Sequence, residues 1–503
     1  MAVLATAMLS AGAARGSAAV PGQATWQAPV LAYRPGPSDS VLVLGAHPDD
    51  VALGGGAFAH EAVAAGARVT LVTFTNGDAF ITGVDLMFHT LAGTPALFVK
   101  YGALRQQEEL AAARALGVRR SGQIFLEYPD RGLETLWDMD WTCDHLYTSP
   151  YTGRDHSPYH LGLHPLTPYC GANVLADVES ILREVRPTVV VMHHPADAHP
   201  DHWASEAFVT TALESLALAG DDWARRVRVF HYMVHRGTWP VPRAYAPELP
   251  LRPPADLQLG NVDWVAVPLS PESEDAQRDA ILNHHSQIEL MRAYMMSFVR
   301  RPGLFDVAGD VRAAQVDDGR LAWGAEGRWD ALPPAVVMIP PSVAAQGGGE
   351  TACAGCTITT SAPVGLTGGL DTVHVLQAVA VARSRSSLYL DIRLRRPPAP
   401  ADAFRIELRL FHPGGTWNRL VLDVRSPGRL DAVRRWPQDL ALPAGAVARS
   451  VGSRLEVALP LAELGDPASV YVEVARGGPL PVVIEHTPWT MVRLTDIAAR
   501  YGS

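Results

Sequence analysis

The spacing of apolar and polar residues along the chain changes near residue 310. In the first 300 residues, continuous apolar runs alternate with segments of helical spacing. Residues 40–46 and 68–75 predict strands, the first as a run buried on both faces. Residues 51–66 and 105–117 predict helices. This alternation indicates an α/β domain whose mostly parallel sheet carries helices on both faces.

The same alternation continues to about residue 300. Strands are predicted at 123–126, 188–192, 226–234 and 262–269, and helices at 172–185, 204–218 and 271–299, the last as one long helix. Between Glu134 and Cys170 the pattern stops, and the stretch is rich in Trp, Tyr and His. A loop of this kind either forms the wall or lid of a substrate site or packs on itself. Both alternatives stay open at this point.

Beyond residue 310 helical spacing disappears, and short β-rich runs are separated by Gly and Pro. The runs cover residues 372–382, 387–394, 404–411, 419–424, 454–459, 470–474 and 482–486. Seven or eight strands with this spacing are typical of a β-sandwich. We therefore expect one α/β domain at 26–310 and an all-β accessory domain at 311–503.

The charge balance argues against two classes of partner. The chain has a net charge of −10, with 48% hydrophobic and 19% charged residues. An acidic chain of this ordinary globular composition is poorly suited to bind nucleic acid or an anionic membrane surface. Past the N-terminus, no run reaches the roughly 18–20 apolar residues that a transmembrane helix needs, so no membrane span is expected.

Residues 1–25 are expected to be a signal peptide. The first 14 residues are small and mostly apolar, and a small-residue segment with a cleavage site after Ala19 follows. No Lys or Arg precedes the apolar run, so a disordered tail is the alternative. The favoured interpretation places the mature protein in a secreted or periplasmic location.

The four cysteines form two local pairs, Cys143 with Cys170 and Cys353 with Cys356. In an exported protein, two disulfides are the favoured interpretation. A structural zinc site at the second pair would need two further ligands nearby, and the sequence offers none there.

The first chemical motif is His47-Pro48-Asp49-Asp50, which follows the strand predicted at 40–46. Ligands of parallel sheets usually bind at the carboxyl ends of strands, where this motif lies. A neutral imidazole and a carboxylate are both ligands of divalent metals. Because adjacent side chains point in different directions, one aspartate can bind a metal while the other stays free for proton transfer.

The second motif is His199-Pro200-Asp201-His202, at the start of a predicted helix. A spacing of three places both histidines on one helix face. His202 can complete a three-ligand set with His47 and Asp50, which leaves an open position for water as in catalytic zinc sites. Asp49 can then accept the proton of that water, His199 can stabilise the oxyanion or protonate the leaving amine, and Asp201 can orient a histidine.

Each motif alone is more often an ordinary turn than a metal site. Further segments, however, occur in the order expected of one enzyme family. They are Thr75-x-Gly77-Asp78, Arg105-x-x-Glu108, Tyr128-Pro129-Asp130-x-Gly132-Leu133, His194-Pro195-x-Asp197-x-His199-Pro200-Asp201-His202 and His284-x-Ser286-Gln287. With these, residues 40–305 resemble the PIG-L (LmbE-like) family of zinc-dependent de-N-acetylases, which have a Rossmann-like fold and remove acetyl groups from N-acetylglucosamine-type sugars.

The resemblance implies one Zn²⁺ held by His47, Asp50 and His202, with Asp49 as general base and His199 as electrostatic or acid partner. It also places Arg105 and Asp130 at positions that contact substrate, although a structural salt bridge explains them almost as well. One residue departs from the family pattern: Val51 stands where Glu is usual, which puts metal affinity or rate in doubt.

The C-terminal region resembles sandwich modules of the carbohydrate-binding family 9 type, chiefly at residues 455–461. This resemblance implies glycan binding on Trp417, Trp436 or Trp489. The favoured alternative is a structural companion domain that buries these tryptophans.

The sequence thus predicts a secreted zinc hydrolase that deacetylates an N-acetylated sugar or glycan. An amidase acting on a larger acyl or thiol conjugate is a close alternative. A catalytically silent glycan-binding protein is a more distant one, and the intact Asp49 argues against it.

Overall fold

The computed structural model describes residues 29–257, 262–307, 309, 311–318, 332–337, 375–425, 428–477 and 483–495. The predicted signal peptide and the pair Cys353 and Cys356 lie outside the described residues. None of the described helices has the length and apolar character needed to cross a membrane.

A seven-stranded sheet forms the centre of the first domain. Its strands are β1 (Ser40–Gly45), β2 (Arg68–Thr75), β3 (Gln123–Tyr128), β4 (Val189–His193), β5 (Arg228–Tyr232), β6 (Trp264–Val267) and β7 (Gly303–Asp306). They lie in the order β3-β2-β1-β4-β5-β7-β6. The first five are parallel, and β7 pairs antiparallel with both β5 and β6. The mostly parallel sheet is therefore confirmed.

Helices cover both faces of this sheet. They are α1 (Gly56–Ala64), α2 (Ile81–Phe88), α3 (Pro95–Ala115), α4 (Leu133–Asp138), α5 (Gly171–Val185), α6 (Pro200–Ala219), α7 (Pro271–Leu282) and α8 (His285–Met295). Alternate residues of β1 point to opposite faces: Leu42 and Leu44 join the core under α4, α5 and α6, whereas Val41 and Val43 join the core under α1, α3 and α7. Continuous apolar strands are needed because both faces are covered.

Two helix predictions need correction, and two helices were not predicted. Helix α3 begins at Pro95, ten residues before the predicted start, and α2 and α4 were not predicted. The single helix expected at 271–299 is broken at His284, whose backbone is not helical (φ −83°, ψ 65°). The break lets the Ser286 backbone N–H and hydroxyl donate to Glu108 at 2.8 and 2.6 Å. These tertiary hydrogen bonds override the continuous helical spacing.

The C-terminal region is all β, as predicted. Its strands are β8 (Val311–Arg312), β9 (Ala314–Gln315), β10 (Val336–Val337), β11 (Leu376–Arg383), β12 (Ser387–Leu394), β13 (Ala403–Phe411), β14 (Trp417–Arg425), β15 (Arg429–Val433), β16 (Val447–Val451), β17 (Arg454–Pro460), β18 (Ser469–Gly477), β19 (Val483–His486) and β20 (Thr490–Arg493). One sheet has the order β10-β11-β12-β17-β16 and the other β15-β14-β13-β18-β20-β8. Their facing apolar side chains form a third core.

The outer face of the second sheet packs against the α/β domain. Arg409 on β13 is fully buried, its guanidinium lies 3.2 Å from the ring centre of Trp137, and it donates to the Trp137 carbonyl at 2.9 Å. The rings of Trp417 and Trp436 lie 5.1 and 5.7 Å from Trp141. The tryptophans considered as glycan platforms thus face the other domain, which favours the companion-domain alternative.

The aromatic stretch after Glu134 is built into this contact. Its predicted disulfide, Cys143–Cys170, is present. Trp141 and Tyr169 are buried, and the Leu163 backbone N–H donates to Phe125 on β3 at 2.8 Å. Of its residues that the structure describes, none lines the candidate site. The alternative of a loop packed on itself and on its neighbours is therefore favoured over a substrate lid.

Candidate metal centre and active site

A cleft lies at the carboxyl ends of β1, β4 and β5. Because β1 has β2 on one side and β4 on the other, the strand order reverses here, which is where open α/β sheets bind ligands. The cleft has a volume of about 530 Å³, open solvent at its mouth included. It is lined by His47, Asp49, Asp50, Leu53, Phe80, Arg105, Asp130, Arg131, His199, His235, Gln287, Met291 and Tyr294.

The three predicted metal ligands converge at the bottom of this cleft. His47 Nδ1 lies 3.2 Å from Asp50 Oδ2 and 3.1 Å from His202 Nε2, and these last two atoms are 3.3 Å apart. Tetrahedral ligands at about 2.0–2.1 Å from a zinc ion are roughly 3.3–3.4 Å from one another. The chemistry and spacing of these atoms therefore fit a single divalent metal, although the ligand roles remain a prediction.

Buried carboxylates orient both histidines. His47 Nε2 lies 3.2 Å from Asp130 Oδ1 and 3.3 Å from Asp201 Oδ2, and His202 Nδ1 lies 3.2 Å from Asp197 Oδ1. Since carboxylates only accept hydrogen bonds, the protons belong on these outer nitrogens. His47 Nδ1 and His202 Nε2 then keep their lone pairs, as in carboxylate–histidine–metal arrangements. Asp201 thus contacts a histidine, and its role in orienting that histidine remains a prediction.

Backbone N–H groups of the turns after β2 and β3 fix the two carboxylates that contact His47. The Arg131 and Leu133 backbone N–H groups donate to Asp201 at 2.6 and 3.0 Å. The Ala79 backbone N–H donates to Asp130 at 2.6 Å. Asp130 therefore contacts His47 directly, and its predicted contact with substrate stays a prediction.

The electrostatics of the cluster differ from residue to residue. Burial alone would lower the pKa of His47, but Asp50, Asp130 and Asp201 outweigh it and hold that pKa well above its usual range. A metal ion bound at His47 Nδ1 would take the place of the proton that these carboxylates stabilise on the ring. Burial lowers the pKa of His202 to about 4, with His193 adding to the effect, so His202 is neutral at pH 7 and can act as a ligand.

Asp49 points away from the three ligands and toward a cation. Its Oδ1 accepts a hydrogen bond from Arg105 Nη2 at 2.7 Å, and Arg105 Nη1 donates to the Gly77 carbonyl at 2.8 Å. Both side chains are buried and line the cleft. The salt-bridge alternative for Arg105 is thus present in the structure, while its contact with substrate remains a prediction.

His199 precedes helix α6 instead of lying in its first turn, although its ring lies near that of His202 as the spacing suggested. Its backbone is extended and it caps α6, with Nδ1 accepting from the Asp201 backbone N–H at 3.2 Å. Burial and the nearby His47 and His202 hold the pKa of His199 well below its usual range. The neutral ring therefore carries its proton on Nε2, and its centre lies 4.7 Å from those of His47 and His202.

Sequence reasoning missed two histidines of the site. His193 stacks on His202 with ring centres 3.8 Å apart and places Nε2 3.2 Å from Asp50. His235 lies 5.0 Å from the His202 ring, with Nδ1 3.1 Å from the Tyr294 hydroxyl. Both lie at or just beyond the carboxyl end of a predicted strand, and that position was the available signal.

Val51 begins a single π-helical turn, Val51–Gly55, that leads into α1. Its side chain is buried in the apolar core shared with α1 and α7. A carboxylate at this position would need a polar partner in that core. The structure does not test whether the departure from the family pattern lowers metal affinity or rate.

Comparison with known proteins agrees with the motif pattern. Residues 42–213 match the model of the PIG-L family, described as GlcNAc-PI de-N-acetylase. Two relatives are 1D-myo-inositol 2-acetamido-2-deoxy-α-D-glucopyranoside deacetylases. That of Salinispora arenicola is 32% identical over 37% of this chain and 53% of its own length. That of Saccharopolyspora erythraea is 28% identical over 56% of this chain and 89% of its own.

A glucosamine-6-phosphate deaminase-like protein of Bacteroides thetaiotaomicron is 32% identical over 23% of this chain and 15% of its own length. The chain thus spans only a small part of this relative and about half of the Salinispora one. The crystal structure of an N,N′-diacetylchitobiose deacetylase from Pyrococcus horikoshii is 18% identical, covers 51% of this chain and 76% of its own, and has a TM-score of 0.31. The fold of this chain is therefore assigned from its own sheet topology. Residues 42–213 thus match the PIG-L family model, in agreement with the motifs and with the sheet topology.

Proposed function

We propose that this chain is a zinc-dependent deacetylase that hydrolyses the acetamide of an N-acetylglucosamine-type sugar or glycoconjugate. The observation that carries the proposal is the convergence of His47 Nδ1, Asp50 Oδ2 and His202 Nε2 within 3.1–3.3 Å of one another. The match of residues 42–213 to a de-N-acetylase family and the names of the Salinispora and Saccharopolyspora relatives support it.

Each group has a role in this hydrolysis. A divalent metal held by the three ligands would supply Lewis acidity, which makes water nucleophilic near neutral pH. Asp49 accepts the proton of the attacking water and returns it to the nitrogen as the C–N bond breaks. Arg105 holds the Asp49 carboxylate in place at 2.7 Å. The products are acetate and the free amino sugar.

His199 stabilises the charge that develops on the acetamide oxygen. Because its Nδ1 accepts from the backbone N–H of Asp201, its Nε2–H is the available donor. A neutral donor fixed in this way needs no reorganisation when the oxyanion forms.

The proposal includes export to a secreted or periplasmic location. The disulfide between Cys143 and Cys170 supports it, because structural disulfides persist mainly in oxidising compartments.

The test is acetate release by the zinc-loaded full chain from N-acetylglucosamine, its oligomers and cell-envelope glycans. We expect acetate and a stoichiometric primary amine from at least one of them. Release of a longer acid from N-acyl analogues, with no acetate, would favour the amidase alternative. Absence of acetate from every substrate, with metal content verified, would overturn the proposal.

A further inference from the structure

We propose that the cleft contains a subsite for an anionic substituent of the sugar, a phosphate or a carboxylate, and that Arg131 binds it. This inference rests on the proposed function, because it specifies the substrate of the same cleft.

The carboxylates of the cleft are already paired. Asp49 contacts Arg105 at 2.7 Å, Asp50 contacts His202 at 3.3 Å, and Asp130 contacts His47 at 3.2 Å. Since Arg105 is committed to Asp49, it is not available to a second anion.

Arg131 is the second arginine that lines the cleft, and unlike Arg105 it makes no ion pair with Asp49. Its backbone N–H donates to Asp201 and its charge helps to hold the pKa of the adjacent Asp130 low, but its guanidinium makes no hydrogen bond or close ion pair with any residue in the described part of the chain. The side chain is half-buried and lines the cleft beside the three ligands. A guanidinium in this position presents several donors to the substrate, and its planar fork matches phosphate and carboxylate oxygens.

The backbone gives a second, independent observation. Arg131 has φ 60°, in the left-handed region that costs a residue with a side chain about 1–2 kcal/mol. In this conformation the Arg131 N–H donates to Asp201, which in turn contacts His47. Glycine would meet the backbone requirement without that cost. The turn therefore keeps a long cationic side chain at a strained position beside the metal cluster, which fits a role for the side chain itself.

Another arginine lies beside one residue of the cleft lining. The guanidinium of Arg243 lies 5.0 Å from the ring centre of Tyr294, which lines the cleft. Arg243 is exposed and donates to the carbonyls of Thr238 and Gly237, with no carboxylate partner among the described residues. On a chain of net charge −10, two arginines near one cleft that make no close ion pair with a described carboxylate make its mouth locally attractive to anions.

The experiment compares kcat/KM of the zinc-loaded full chain on neutral N-acetylglucosamine with kcat/KM on three anionic analogues. These are N-acetylglucosamine 1-phosphate, N-acetylglucosamine 6-phosphate and N-acetylmuramic acid, which separate the phosphate sources from the carboxylate source. We expect at least one anionic analogue to exceed the neutral sugar by tenfold or more. Arg131→Gly, which suits the left-handed backbone, should reduce that ratio roughly 10- to 100-fold, the range of a charged hydrogen bond, and Arg131→Lys should restore part of it.

The matched control is Arg186→Gly. Arg186 also has a left-handed backbone (φ 45°), but it caps α5 on the surface, before β4, at the end of the sheet away from the cleft. Its substitution should leave the ratio of anionic to neutral turnover unchanged. An unchanged ratio in Arg131→Gly, or a preference for the neutral sugar in the unmodified protein, would overturn the subsite.

A binding measurement separates failure of the subsite from failure of the proposed function. Calorimetric titration with glucosamine 6-phosphate and glucosamine should show tighter binding of the phosphate, and Arg131→Gly should remove most of the difference. If no substrate releases acetate but this difference and its loss are observed, the subsite stands and the deacetylase proposal fails. If the unmodified protein binds glucosamine 6-phosphate no more tightly than glucosamine, the subsite is overturned whatever the turnover.

Discussion

Asp49 and Asp50 are adjacent in the chain, yet their carboxylates contact different partners. Asp50 Oδ2 lies 3.3 Å from His202 Nε2, whereas Asp49 Oδ1 accepts a hydrogen bond from Arg105 at 2.7 Å. The π-helical turn that starts at Val51 follows directly, and such single turns occur frequently at functional sites. This geometry fits the proposed separation of metal binding by Asp50 from proton transfer by Asp49.

The first prediction tests this separation. Asp49→Asn retains an oxygen that can accept from Arg105 but removes the carboxylate that accepts a proton. We expect kcat to fall roughly 10²- to 10⁴-fold, the usual contribution of a general base, while one zinc per chain remains. Acetate release and elemental analysis measure the two quantities.

Asp50→Asn is the matched control, because it removes the neighbouring carboxylate. It should lose the metal and the activity together. If instead Asp49→Asn loses the metal and Asp50→Asn retains it, the roles of the two residues are exchanged.

The second prediction concerns the carboxylates behind the ligands. Asp201→Asn removes a charge that lies 3.3 Å from His47 Nε2 and is buried from solvent. Because partners of this kind set the orientation and basicity of the ligand, zinc affinity should fall roughly 10- to 100-fold. Competition with a chromogenic chelator measures the affinity.

Asp306→Asn provides the control for Asp201→Asn. Asp306 is also buried and lies 3.3 Å from His194 Nε2, but none of the three predicted ligands contacts it. Its substitution should leave zinc affinity within about twofold of the unmodified protein. A similar loss in both variants would show a general effect of buried aspartates instead of support for His47.

At this scale, spacing and strand position predicted which residues meet, but not how they are oriented. His47, Asp50 and His202 could be brought together from sequence because both motifs follow strands of one parallel sheet. His193 and His235 were missed because a histidine at a strand end has no spacing signal of its own. The extended backbone of His199 was missed because Pro200 at the first helical position fixes a helix start that apolar periodicity does not show.

At the scale of elements, the site depends on packing between β2 and α3 as well as on the strand ends. Glu109 on α3 is almost fully buried and accepts a hydrogen bond from the Thr73 hydroxyl at 2.6 Å. Burial raises the pKa of Glu109 to about 8, and Asp49 and Asp50 add to the rise. The side chain is therefore protonated in the folded protein at neutral pH.

The third prediction follows from this shift. The unfolded chain loses the Glu109 proton near its ordinary pKa of about 4.3, whereas the folded protein holds it to about pH 8. The folded state thus binds more protons between these values, so its stability falls as pH rises through the window, by at most about 1.4 kcal/mol per pH unit. Glu109→Gln, which resembles the protonated form, should reduce this pH dependence.

Urea unfolding of the metal-free protein at pH 5, 6, 7 and 8 checks the prediction. Glu184→Gln, on the exposed surface of α5, is the control and should keep the slope of the unmodified protein. An equal slope in Glu109→Gln and the unmodified protein would show that the carboxyl is ionised in the fold.

The fourth prediction concerns the aromatic segment between α4 and α5. The disulfide closes a loop with a sequence separation of 27 residues. In the chain-entropy model, closure of such a loop contributes roughly 3–4 kcal/mol. The double variant Cys143→Ser with Cys170→Ser should therefore lose about that much unfolding free energy. A loss below about 0.5 kcal/mol would mean that contacts of Trp141 and its neighbours hold the segment without the bond.

The strands with buried apolar residues were predicted most accurately. Strand β2 coincides with its predicted bounds, and the runs for β12 and β17 match to within a residue, because alternating or continuous apolar residues define them. Helix α2 and the first half of α3 were missed since their polar and aromatic residues lack a clear 3.6-residue period. The break at His284 was missed because it depends on hydrogen bonds to Glu108, a residue 178 positions away from Ser286.

At the scale of the whole molecule, the two domains share one continuous core. Trp137, Trp141 and Phe208 of the α/β domain belong to the same buried cluster as Phe411 and Trp489 of the sandwich. Helix α4, which carries Trp137, also begins at Leu133, whose backbone N–H donates to Asp201. The sandwich therefore packs directly on the helix that supports the site. Composition could predict the sandwich but not this contact, since tryptophans on a strand also suit glycan binding.

The last prediction tests this coupling through Arg409. Its guanidinium is surrounded by Trp137, Trp141, Trp417 and Trp489, with distances from the ring centres of 3.2 to 5.7 Å. Arg409→Met keeps the side-chain volume but leaves the Trp137 carbonyl without its donor. It also removes one of the two arginines that contact the buried carboxylate of Glu407. Breaking such a pair costs about 3–5 kcal/mol, and we expect a loss toward the lower value because Arg419 still lies 3.6 Å from Glu407.

Arg405→Met is the matched control for that variant, because Arg405 lies on β13 four residues earlier and faces the same side, but its pair with Asp423 is partly exposed. That change should cost less than about 1 kcal/mol. The full chain should unfold in one cooperative transition by tryptophan fluorescence, and Arg409→Met should lower both its midpoint and the zinc affinity through α4 and Asp201. Two separate transitions in the unmodified protein, or equal effects of the two substitutions, would show that the sandwich is an independent domain whose contact does not support the site.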